Sequence, residues 1–334
     1  MTSRVALKFA LAAGLAVALT GDAAGQGRAT GPLLPIWRTL FARPAGIPAP
    51  PGNPSNPAKA TLGERLFFDP RLSGDNARSC ASCHDPEQGY SNGLPRGIAR
   101  DGGQLRRHVP SLFNLAWGES FLWDGSEPSL ETQIDGPIEA ADEMAGRWPA
   151  IATNLAADAE MARAFAAAFG DEAVTRTRVL KALSAYVRTL VSPESRFDRF
   201  IAGDGSALTV VELQGFRLFV GKAGCVACHS GWRFTDERFH DTGLPGEDPG
   251  RGAVPGGTPG TRVFKTPGLR GLNLSAPYMH DGSLATLEAV VEHYTDGIVV
   301  RAGLSSSLTR PLSLSLDERT SLIAFLRTLD VPPP

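Results

Sequence analysis

Cys80-Ala-Ser-Cys83-His84 and Cys225-Val-Ala-Cys228-His229 are the stretches that decide the fold. They account for all four cysteines of a 334-residue chain, and a histidine follows each pair at once. Cys-x-x-Cys-His is the attachment signal of c-type haem. The two thiols add to haem vinyl groups, and the adjacent histidine reaches the iron as proximal ligand. Zinc would gather four ligands in one place, whereas these pairs lie far apart in the chain. A redox dithiol needs no histidine directly after it, and four cysteines are too few for a disulfide scaffold. The motifs therefore predict two covalent haem c groups. Cys80, Cys83 and His84 would hold the first, and Cys225, Cys228 and His229 the second.

Working outward, Gly63-Glu-Arg-Leu-Phe-Phe68 precedes the first motif and Gly215-Phe-Arg-Leu-Phe-Val220 the second. The same block before the same motif predicts two copies of one small helical domain. Thr61 with Glu64 forms a capping-box pattern, with Leu62, Leu66 and Phe67 following at helical spacing. Two alanine-rich helical runs lie at residues 147–169 and 175–190. The second puts Val179, Leu180, Leu183, Tyr186, Val187 and Leu190 on one stripe. Residues 243–261, rich in Gly and Pro, predict a surface loop. Ser315 with Glu318 opens a last helix carrying Leu322, Phe325, Leu326 and Leu329 on one face, stopped by Pro332 to Pro334. Strand-like alternation is scarce. The predicted fold is mostly α, with two tandem cytochrome c-like helical domains over residues 58–200 and 201–334, each carrying one haem.

Arg4 and Lys8, the apolar residues 9–19 and the small residues Ala23-Ala24-Gly25 form a secretory signal pattern over residues 1–25. It is too short for a spanning helix, and no later stretch offers about 20 apolar residues in a row. Residues 26–57 read as a proline-rich arm, extended over 43–57. The expected location is the periplasm. With 33 basic and 35 acidic residues the net charge is −2, which excludes a basic nucleic-acid binder.

An electron-transfer cytochrome closes both axial positions of its iron, often with Met or His. Beyond Met1, only Met144, Met161 and Met279 are present, with His108, His240, His280 and His293 as the free histidines. The distal ligands come from this short list, or one iron is open.

The chain resembles the bacterial dihaem cytochrome c peroxidase superfamily, and within it the MauG-like branch. Besides the haem motifs, the resemblance rests on Phe121-Leu-Trp-Asp-Gly125, Phe264-Lys-Thr-Pro-Gly-Leu-Arg270 and Pro277-Tyr-Met-His-Asp-Gly-Ser-Leu284. It implies that the first haem is the peroxide site and the second the electron-transfer site, with Trp123 between them. Gln133 and Glu143 match the distal glutamine and glutamate. A carboxylate beside an open iron can take a proton from peroxide and return it to the leaving oxygen. Members of the family carry a capping histidine after the first motif, but residues 85–103 contain none. This departure implies an open first iron, with His108 as the nearby rival ligand.

Fourteen residues beyond His280, where classical peroxidases have methionine, stands Tyr294, the MauG-like ligand of the second iron. Leu287, Val290, Val291 and Tyr294 share one helical face, which turns Tyr294 to the core and His293 away. Arg270 and Lys265 match haem-propionate partners, and His240 and His280 match histidines near the second haem. Many members also bind calcium between the domains. Its two carbonyl positions match Ser275 and Pro277, but the asparagine position holds His108, and imidazole is a poor calcium ligand. Calcium is therefore left open.

The resemblance implies a haem-dependent oxidoreductase. Hydrogen peroxide would react at the first haem, and a high-valent dihaem state would oxidise a residue, a tryptophan, of a partner protein. Loop lengths resemble the MbnH-like group, whose partner is copper-binding. The alternatives are a peroxidase fed by a small cytochrome or cupredoxin, and a dihaem electron carrier with two fully ligated irons.

Overall fold

The computed structural model describes residues 34–308 and 310–334. The signal peptide expected at residues 1–25 lies outside them. The chain is mostly helical. Helices α1 (Leu34–Phe41), α2 (Pro57–Phe67), α3 (Leu130–Glu139), α4 (Trp148–Ala156), α5 (Ala159–Phe169) and α6 (Arg176–Thr189) are followed by α7 (Arg196–Ala202) and α8 (Val210–Val220). Strands β1 (Phe239–His240) and β2 (Phe264–Lys265) pair antiparallel. Helices α9 (Leu287–Glu292) and α10 (Leu316–Leu326) close the order. None of the described helices is long and apolar enough to cross a membrane.

The duplicated Gly-x-Arg-Leu-Phe block has a mechanical reason. A Cβ on Gly63 would lie 2.0 Å from the carbonyl oxygen of Ala182, and one on Gly215 1.9 Å from that of Ser321. Each glycine lets its helix touch the backbone of a partner: α2 packs on α6, and α8 on α10. Around the first crossing lies a core that includes Leu66, Phe67, Leu183 and Tyr186. Around the second lies a core that includes Phe216, Phe219, Leu322 and Phe325. The predicted stripe from Val179 to Leu190 and the predicted face of the last helix are both buried.

Gly215→Ala is expected to force α8 and α10 apart, because the obstacle is a backbone carbonyl and not a movable side-chain tip. A loss of about 3 kcal/mol should appear in denaturant titration of the haem-loaded protein. A loss under about 0.5 kcal/mol, the scale of an indifferent surface change, would refute the close crossing.

Three local expectations are corrected. The first helix after the arm starts at Pro57, not at Thr61: the Asn56 side chain accepts from the amides of Ala58 and Lys59, and Pro57 suits the first turn. The run at 147–169 is two helices, because Asp158 caps a new start by accepting from the amides of Glu160 and Met161. The arm is not uniformly extended. Residues 34–41 form α1, whose Trp37 and Phe41 enter the second core, and Asn53 is buried, holding the Lys59 ammonium at 2.7 Å.

Candidate dihaem site

Both Cys-x-x-Cys-His motifs fold as the same tight turn. The amide of His84 donates to the Cys80 carbonyl at 2.9 Å, and that of His229 to the Cys225 carbonyl at 2.8 Å. Each histidine is then oriented from behind. Nδ1 of His84 meets the Tyr90 carbonyl at 2.7 Å, and Nδ1 of His229 the Phe234 carbonyl at 2.9 Å. A carbonyl only accepts, so Nδ1 carries the proton and Nε2 keeps the lone pair that an iron needs. Burial lowers both imidazole pKa values, favouring the neutral, ligating form. Burial pushes the thiols of Cys80 and Cys225 up to about 12, and all four cysteines are free thiols.

Glu143 follows α3 in a tight turn. Burial, with the neighbouring Asp142 charge, raises its carboxyl above the usual range. After burial, its charge is the next influence raising the Cys83 thiol. The fold therefore brings Glu143 to the first motif. Gln133 stands half-buried on α3, in the segment leading to that turn. Met144 and Met161 are spent on the first hydrophobic core.

Trp123 stands at the seam between the two motif-bearing halves. Its indole Nε1 donates to the His108 carbonyl at 2.9 Å, and its own carbonyl accepts from the Lys265 amide at 2.8 Å. One bond thus reaches toward the first half and the other toward β2.

Tyr294 lies in a π-helical turn, His293–Gly297, continuing α9. Burial raises its phenol, and the thiols of Cys225 and Cys228 raise it further. The phenol is therefore at the second motif. The expectation for His293 is corrected: it is buried, and its Nε2 meets the Thr242 carbonyl at 3.0 Å. The side of the helix that carries His293 is covered as well, by the segment at Thr242, so His293 is buried although it lies off the apolar stripe.

The His280 ring stacks on Phe264 with centroids 3.6 Å apart. His240 Nε2 meets Asp236 at 2.8 Å. That bond, followed by contact with Cys228, raises the imidazole to about 10. Asp236 was missed from sequence, although its i, i+4 spacing to His240 is a usable signal.

Arg270 supplies the test of whether these residues fit haem. It is buried, and its Nη1 donates to Asp198 at 2.6 Å, yet Nη2 has no partner and neither has Oδ1 of Asp198. A buried guanidinium donor left unpaired is costly. A propionate would satisfy it, and Arg270 also donates to the carbonyl of Trp232, three residues beyond His229. Lys265 fits less openly, since its ammonium already contacts the Ser120 carbonyl at 2.5 Å and Glu237 at 3.4 Å. Two free imidazole nitrogens, four free thiols and a buried guanidinium with one unpaired nitrogen form a donor set suited to haem.

The comparisons with known proteins agree. The family model for di-haem cytochrome c peroxidase matches residues 57–206. The methylamine utilization protein MauG of Methylorubrum extorquens is 46% identical over 322 residues, covering 95% of this chain and 89% of that protein. Cytochrome c551 peroxidase of Nitrosomonas europaea is 36% identical over 282 residues, covering 83% and 81%. A solved MauG-like protein associated with microbial copper homeostasis superposes with a TM-score of 0.80 at 33% identity, covering 86% of this chain and 95% of that one. The chain belongs to the di-haem cytochrome c peroxidase family and is a haem-dependent oxidoreductase of peroxidase type.

Proposed function

We propose that the chain is a periplasmic enzyme with two covalent haem c groups that reacts with hydrogen peroxide and oxidises a tryptophan of a partner protein. The observation that carries this reading is Tyr294 in its π-helical turn, near enough to the second motif for the thiols of Cys225 and Cys228 to act on its phenol. Haem, when bound, supplies the iron that reacts with peroxide and the capacity to hold its two oxidising equivalents.

The chain's own residues divide the remaining work between two domains, residues 58–200 and 201–334. With haem bound, His84 would hold the peroxide-reactive iron. Glu143, with Gln133, would take the proton from peroxide and return it to the departing oxygen, which leaves as water. Trp123 couples the halves. His229 and Tyr294 would hold the second iron, where an anionic phenolate would favour the oxidised form. Arg270, and less openly Lys265, would pair with the propionates.

The 46% identity with MauG exceeds the 33% with the copper-associated structure. It favours a partner from a methylamine-utilising system over the copper-binding partner suggested by loop lengths. The leader pattern at residues 1–25 supports export.

The test is to add stoichiometric peroxide to the haem-loaded protein, then either a reduced small cytochrome or the partner protein encoded beside it. The oxidised protein should persist with the cytochrome and be consumed by the partner, which gains a modified tryptophan by mass spectrometry. Rapid reduction by the cytochrome, with no modified partner, would establish the peroxidase reading instead.

A further inference from the structure

His108 is buried where the two halves of the chain meet, and its ring faces oxygen atoms on several sides. Nδ1 meets the Leu94 carbonyl at 2.9 Å. Nε2 lies 3.5 Å from the Ser91 hydroxyl, which donates its own proton to the Val109 carbonyl at 2.6 Å. Burial lowers the imidazole pKa, and the carbonyls of Leu94, Pro95 and Ser275 lie near enough to the ring to oppose that shift. The backbone of the same residue is equally engaged. Its amide donates to the His280 carbonyl at 2.8 Å, and its carbonyl accepts the Trp123 indole at 2.9 Å. Around it the loops are in contact: a Cβ on Gly282 would lie 2.1 Å from the Pro95 carbonyl oxygen.

Convergent, buried carbonyl oxygens are unfavourable unless a donor or a cation stands among them. A calcium ion would need six to eight oxygen ligands at about 2.3–2.6 Å. At the position where the resemblance implies a ligating asparagine, this chain offers an imidazole, which has no oxygen to give. The Ser275 carbonyl that the resemblance assigns to the ion is near enough to act on this ring.

We infer that the His108 side chain replaces the interdomain calcium ion: its Nδ1–H is given to the Leu94 carbonyl and its ring fills the space among the neighbouring oxygens, which makes the joint independent of metal, while its backbone bonds to Trp123 and His280. His108 is on this reading a positioning residue for Trp123, not an iron ligand. The inference does not depend on what the enzyme oxidises.

The test uses the haem-loaded protein dialysed against a calcium chelator. Its calcium content should be negligible by elemental analysis, titration with calcium chloride should give no binding heat, and its haem spectrum should be the same before and after chelation. His108→Asn restores an oxygen donor and opens space. That variant should take up one calcium per chain, and its haem spectrum should then respond to chelator. Stoichiometric calcium in the wild-type protein, removed by chelator with a change in spectrum, would overturn the inference. A folded, haem-loaded His108→Asn that binds no calcium would also count against it, because the carbonyl cluster would then not be a cation seat. Should the variant fail to fold, the wild-type measurements decide alone.

Discussion

Glu143→Gln is expected to slow the reaction with hydrogen peroxide by about 10²–10⁴-fold, the usual worth of a positioned acid–base group. The amide keeps the size of the side chain and loses only the ability to take a proton. Stopped-flow mixing at fixed peroxide measures the effect, and a rate within a factor of two of wild type would remove Glu143 from the mechanism. The pH profile adds a second check. Burial raises the Glu143 carboxyl, and only the ionised form can take the proton. The wild-type rate should therefore fall as pH drops through that raised pKa, above the ordinary carboxylate range of about 4, and Glu143→Gln should lack this limb. Stability follows the opposite sign. The folded protein holds this proton more tightly than the unfolded chain, so the contribution is present at low pH and is lost as pH rises through the folded pKa. The neutral glutamine is accordingly expected not to lower the Tm at neutral pH, which separates loss of chemistry from loss of fold.

Tyr294→His should abolish oxidation of the partner protein while leaving the first reaction with peroxide intact. A phenolate is a hard anion that favours ferric iron, and a neutral imidazole relaxes that preference, so the potential of the second haem should rise. The burial that raises the Tyr294 phenol is offset on iron binding, because the metal takes the place of the proton. Redox titration and the ferric spectrum report the ligand, and mass analysis of the partner reports the activity. An unchanged potential and spectrum would show that the phenol is not at the iron.

Much of this site was legible because its information is local. The two Cys-x-x-Cys-His turns close over four residues. The Ser315–Glu318 capping box forms as its spacing predicted. The Gly-x-Arg-Leu-Phe repeat marks the two equivalent helix crossings. The resemblance points to Tyr294 by its distance from His280, and the helical face agrees, although that face left out His293, which the segment at Thr242 buries. What stayed hidden depends on partners distant in the chain. Asp198 reads as a helix-start acid, and its bond to Arg270 is invisible until α7 meets the loop after β2. His108 reads as a stray ligand candidate until the Leu94 and Ser275 carbonyls converge on it. The early start of α2 was masked by proline, which serves an arm and a first helical turn equally well.

The seat of α1 ties the order of synthesis to the order of assembly. Trp37 packs edge-on against Phe216 at 5.9 Å, and Phe41 stacks on Phe234 at 4.8 Å, both in the core of the later half. The segment that leaves the ribosome early is thus a closing piece for the half that leaves last. A fragment beginning at α2 would keep every residue of both haem motifs, yet the later half would expose a Phe-lined trough where α1 belongs. Completing the second core therefore takes a helix that precedes both halves in the chain, and that helix ties the later half to the start of the earlier one.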